Sequence, residues 1–79
     1  MTFELYSDVV LTVDIPSSAL RAGDVVRVVD YHPVATGEDG WSIEVFNAIG
    51  DTIAVATVPE SSLSSLEANE ILSVRRMAV

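Results

Sequence analysis

An all-β fold is what this sequence predicts, and three observations carry the prediction. Several short runs alternate between the two faces of a strand with a period of two and are rich in β-branched residues. Gly, Pro, Asn and Asp fall between those runs, where turns need them. The chain is 79 residues long, room for one small domain over residues 1–79.

The first run, "DVVLTV" at 8–13, sets Val9, Leu11 and Val13 on one side against Asp8, Val10 and Thr12. It reads as a strand. "DIPSSALRAG" follows as a long folded loop, because Pro16 lacks an amide to donate and Gly23 tolerates a positive φ. Ile15 and Leu20 are its expected inward anchors. Residues 25–31 are a second strand with apolar side chains on both faces, of which Val26 and Val28 are expected inside. The preceding Gly23-Asp24 is the turn that launches it, with the Asp24 carboxylate able to accept from nearby backbone amides.

After the loop "HPVATGEDG" comes the clearest hairpin. "WSIEVF" alternates Trp41, Ile43 and Val45 against Ser42, Glu44 and Phe46, and "DTIAVATV" answers with Ile53 and Val55 on the expected inner face. "NAIG" joins them, with Asn47 and Gly50 suited to left-handed turn positions. Leu63 and Leu66 in "ESSLSSLEANE" are spaced for one or two helical turns, and "ILSVRR" has the composition of a closing fifth strand. The expected core is Val9, Leu11, Ile43, Val45, Ile53 and Val55. Five short strands, a long first loop, a tight hairpin and a short helical turn before the last strand describe a small SH3-like five-stranded barrel. Closing the sheet would also remove exposed edges from a small protein.

The segments "DVVLTVDIP", "LRAGDVV", "WSIEVFNAIGDTIAVATVP" and "EILSVR", in that order, resemble the domain of unknown function 4926 family of small bacterial proteins, frequent in cyanobacteria. The resemblance spans nearly the whole chain. It implies an SH3-like fold and supplies no catalytic residues to carry over. One departure stands out: after "GDV" the family often has a small residue and a threonine, where this chain has Val26 and Arg27.

Charge narrows the partners. Twelve acids face four arginines, with no lysine, for a net charge of −8. Such a surface repels phosphate backbones and anionic lipid, so neither nucleic acid nor membrane is an expected partner. The N-terminus "MTFELYSDVV" has no basic region and no unbroken apolar run, and no segment approaches the roughly 20 apolar residues of a membrane helix, so the expected location is the cytoplasm. Apolar residues make up 49% of the chain, which a domain burying only about 60% of its surface hides with difficulty. A protein partner or self-association is expected to cover the excess.

Catalytic and metal chemistry find little support in the residues. Cysteine is absent, which excludes disulfides and thiolate ligands. His32 is the lone histidine and precedes Pro33 in a loop; it reads as a loop residue. Glu38 and Asp39 are neighbours in a turn, with no burial to separate their pKa values. "TGEDGWSIE" lacks the ligand spacing of a calcium loop, and "GEDG" would present two acids to any phosphate. No cofactor and no metal are expected. Arg75 and Arg76 point to opposite faces of a regular strand, and Arg75 is expected to pair with an acid across the sheet. The candidate partner-binding residues are the aromatic set Tyr31, Trp41 and Phe46, with Phe46 facing outward. The sequence therefore reads as a non-enzymatic interaction module. Its preferred form is the acidic, neutralising, antitoxin-like partner of a two-gene bacterial pair. The alternative is an accessory subunit of a larger complex, such as a photosynthetic electron-transport assembly.

Overall fold

The computed structural model describes residues 1–77. Five antiparallel strands form one sheet: β1 (Asp8–Leu11), β2 (Val25–His32), β3 (Gly40–Phe46), β4 (Thr52–Pro59) and β5 (Leu63–Ser65). Their order is β4-β3-β2-β1-β5. Short 3-10 turns lie at Pro16–Ser18 in the first loop and Glu60–Ser62 just before β5. The fold is all-β, with the expected turn ahead of the last strand. Closure into a barrel is a different matter, because no ladder joins β4 to β5 among the described residues.

The first loop is built as its residues suggest. Ile15 and Leu20 bridge to each other, and Leu20 is buried. The Asp14 Oδ1 accepts from the Ala22 amide at 2.9 Å, and the Asp24 Oδ2 from the Arg21 amide at 2.8 Å. Gly23 takes a φ of 96° and closes the turn into β2. β1 is shorter than its run of alternating residues, ending at Leu11, and Val13 is exposed.

Val9, Leu11, Val26, Val28, Ile43 and Val45 are buried together, joined by Leu20, Val58, Leu63, Phe3 and Trp41. Two expected core members are not among them. Ile53 is 41% exposed and Val55 64% exposed, so β4 carries the opposite parity from the one its larger side chains suggest. The register explains this. Inward Trp41, Ile43 and Val45 of β3 stand opposite Val58, Ala56 and Ala54, and directly opposed residues share a face. The larger Ile43 and Val45 meet the small Ala56 and Ala54, and Val58 packs beside Trp41, which fits close packing of the shared face.

The fifth strand also differs from expectation. Leu63–Ser65 pairs with β1 directly after the 3-10 turn, with Leu63 opposite Leu11. That occupies the edge of β1 and leaves residues 71–76 without a ladder. Ile71 and Val74 are almost fully exposed as a result. The helical turn expected from the spacing of Leu63 and Leu66 is not formed: Leu63 lies in β5, Leu66 just beyond it, and the 3-10 turn at Glu60–Ser62 precedes both.

A register shift between Val28 and Asp30 changes the parity of β2 part-way along. Before it Val26 and Val28 face the core. After it Tyr31 does, opposite Trp41. A bulge that inserts one residue has this effect on everything beyond it. The N-terminal segment then covers the Trp41 end, where the Phe3 ring meets the indole edge-on at 5.4 Å.

Candidate interaction surface

The three aromatic residues singled out in the sequence do not form one cluster. Trp41 is fully buried. Its Nε1 donates to Glu60 Oε1 at 3.3 Å, and its ring lies 4.7 Å from that of Tyr31. A residue with no exposed surface anchors the core and cannot touch a partner, which corrects its assignment to a contact. Tyr31 is partly exposed, and its hydroxyl donates to Asp39 Oδ2 at 2.5 Å. That hydrogen bond holds the Asp39 carboxyl below the ordinary carboxylate value and the Tyr31 phenol above its own. Asp39 also accepts from the Val34 amide at 3.1 Å, so the pair braces the loop between β2 and β3.

Phe46 lies elsewhere, at the end of β3 and partly exposed. The Arg27 guanidinium sits over its ring at 5.0 Å and bonds Asp8 Oδ1 at 3.0 Å. The bulky Arg27 that marks this sequence is therefore a cap on Phe46. Along β4 the exposed residues are Thr52, Ile53, Val55, Thr57 and the terminal Pro59, with Thr52 donating to Glu44 Oε1 at 2.7 Å. The surface is thus an apolar band of Ile53 and Val55 with Phe46 nearby, bordered by Glu44 and Arg27.

The β2 bulge also brings together residues that are far apart in sequence. His32 Nε2 lies 2.7 Å from Ser42 Oγ, which lies 3.2 Å from Thr57 Oγ1. Asp30 approaches the same His32 nitrogen at 3.8 Å. In a hydrolytic triad the acid must orient the imidazole from the nitrogen opposite the serine. Here both neighbours crowd one nitrogen on an open face. The arrangement is a polar ladder across three strands, and only the register could have disclosed it.

The end of the chain supplies the remaining feature. Arg75 grips Asp24 with two nitrogens, Nε reaching Oδ1 at 2.7 Å, and its Nη2 donates to the Ala19 carbonyl at 3.0 Å. The expected pairing of Arg75 with an acid is present, though from a coil segment. The guanidinium holds the Asp24 carboxyl below its ordinary value, against the partial burial that would raise it. Between this segment and Phe46 and Ile53 lies an open groove of about 700 Å³, with Leu72 and Val74 on its far wall. Among the described residues, no group of three or more His, Asp or Glu side chains could hold a metal ion, and no helix is long and apolar enough to cross a membrane.

Residues 5–65 match the family described as Domain of unknown function (DUF4926). The chain belongs to that family. No curated protein and no solved structure matches it. The DUF4926 match starts before β1 and stops at Ser65, the last residue of β5, so it holds all five strands. "EILSVR" lies beyond it, contrary to the expectation that it forms part of the family pattern. Arg75 and its segment are therefore attached to a domain whose sheet is complete without them.

Proposed function

We propose that this DUF4926 chain is a non-enzymatic protein-interaction module. Its preferred partner is a basic protein that it neutralises, in the manner of an antitoxin. The observation that carries the reading is the exposed band of Ile53 and Val55 beside Phe46, on a chain of net charge −8. Apolar groups in the band would supply the buried centre of a contact, and surrounding acids would steer a partner of opposite sign. Phe46 is the residue of the original aromatic set best placed to anchor it, since Trp41 is buried and Tyr31 is committed to Asp39. Affinity capture from the native host at low and high salt tests the reading. A basic protein recovered at low salt and lost at high salt is the expected result. Recovery of no protein besides copies of this chain, or only of other proteins with an acidic surface, overturns it.

A further inference from the structure

The two edges of the sheet are unlike. β5 is an edge of three residues, too short to template much pairing, whereas β4 is an edge of eight. An exposed edge strand presents unpaired N–H and C=O groups at every second residue, and proteins commonly blunt it with charge, proline or brevity. β4 has no charged residue, and its one proline is its last residue. Residues 52–59 are the longest uncharged run of the sequence. The 3-10 turn of the first loop approaches β4, yet no backbone hydrogen bond joins that loop to it among the described residues.

The sequence of β4 also reads nearly the same in both directions about Val55. An antiparallel pairing of two copies with Val55 opposite Val55 sets Ala54 against Ala56 and Ile53 against Thr57, and the register shift between Ala54 and Thr52 leaves Thr52 outside the regular pairing. In this register, exposed Ile53, Val55 and Thr57 of each copy meet their exposed counterparts, and the half-buried alanines meet each other. A shift of the two-fold by half a residue would set exposed side chains against core-facing ones. Parity therefore puts the axis on a residue, and the near-palindrome puts it on Val55. Charge points to the same strand. A protein of net charge −8 meets its own copy at least cost through an uncharged segment, and Asp51 and Glu60 lie just outside the strand.

We infer that β4 is a self-association edge, through which two copies of this chain join into one continuous ten-stranded sheet about a two-fold axis at Val55. The inference rests on the interaction-module reading and names a second copy as the occupant of the β4 edge. The two fail separately, because capture of a basic protein says nothing of self-association and sedimentation of the pure chain says nothing of a basic partner. Cross-strand neighbours at the axis are about 5 Å apart, so Val55→Lys on both copies opposes two ammonium groups and Val55→Glu two carboxylates.

Sedimentation of the full chain over a range of concentrations provides the test. Wild type is expected to dimerise, and more tightly as salt screens the acids around the contact. V55K and V55E alone should each associate about tenfold more weakly, and their equimolar mixture should recover a dimer. Mixing cannot repair a misfolded chain, so recovery separates loss of pairing from loss of fold. Register has its own variant pair. I53K alone should weaken association, and I53K/T57E should restore it, because each copy's introduced ammonium then faces the other copy's introduced carboxylate. A wild type that stays monomeric at every concentration and salt, or a V55K and V55E mixture no tighter than either alone, overturns the inference.

Discussion

Ile43 and Ile53 offer the same side chain on opposite faces of one hairpin, and shortening each to alanine tests the register directly. Ile43 is fully buried at the centre of the sheet, between Val28 on β2 and Ala56 on β4. Its removal leaves a cavity in a close-packed interior, at a cost of about 2–5 kcal/mol. A domain of this length has roughly 4–12 kcal/mol in total. One kcal/mol shifts the midpoint of a small domain by about 4–8 °C, so Ile43→Ala should lower Tm by roughly 10 °C or more. Ile53 is 41% exposed and sits on the outer face. Its truncation should cost about 1 kcal/mol or less. Thermal melts followed by circular dichroism, at low protein concentration to keep self-association out of the comparison, measure both. Equal losses, or a larger loss for Ile53→Ala, would refute the parity of β4 and the pairing that sets it.

Gly50 holds a φ of 91° and donates to the Asn47 carbonyl at 3.1 Å, with open space where a Cβ would sit. Gly50→Val is therefore expected to cost about 1–3 kcal/mol through backbone strain alone, measured by chemical denaturation, and an unchanged midpoint would contradict it. Asp24 carries a carboxyl whose folded value lies below the ordinary 3.8, so the stability from its grip on Arg75 is present above that value and is lost as pH falls through the lower folded one. Backbone 15N relaxation of residues 71–76 should show their ordering lost in that acid range in wild type and already lost at neutral pH in Arg75→Gln; ordering that persists in Arg75→Gln would show that the pair does not hold the segment. Phe46→Ser should weaken capture of the basic partner in a lysate pull-down while leaving Tm nearly unchanged, and undiminished capture would remove Phe46 from the contact.

Strands, turns and the inward side of β1, β2 and β3 were legible because each states its pattern locally. Val9 and Leu11 alternate with their neighbours, and Gly23 and Gly50 sit where positive φ is required. β4 was not legible in the same way. Its two faces are Ile-Val-Thr and Ala-Ala-Val, and size favours the first, but the choice belongs to the pairing with β3, whose inward Trp41, Ile43 and Val45 oppose Val58, Ala56 and Ala54. Information about a neighbour's volume is absent from a strand's own sequence. The exchange of Leu63–Ser65 for the 71–76 run has a similar origin. Both segments suit a strand, and the one that directly follows the 3-10 turn is the one paired with β1. For the candidate surface, Phe46 could be placed outward from parity alone, whereas the His32–Ser42–Thr57 ladder depends on a bulge that no residue type announces.

Asp24 joins the two parts of this chain in one carboxylate. Its Oδ2 accepts from the Arg21 amide, a bond within the loop that launches β2, and both oxygens also receive Arg75 from beyond the DUF4926 match. The turn needs only an acceptor there, which an aspartate supplies with or without a distant cation. The charge is what the added segment uses. Fifty-one residues separate Arg75 from Asp24, and the bidentate geometry fixes the orientation of a guanidinium as well as its distance. One ion pair thus ties an irregular segment across the mouth of the first loop, where Ala19 takes a left-handed φ of 57° and turns its carbonyl to the same guanidinium. Because the buried core is built by the strands, the first loop and Phe3, with Met77 of the segment only packed against it, the tie constrains where the segment lies more than whether the domain folds. It keeps Leu72 and Val74 opposite Phe46 and Ile53 across the groove, so whatever loosens the Asp24–Arg75 pair changes the shape of the apolar surface without touching the strands that carry it.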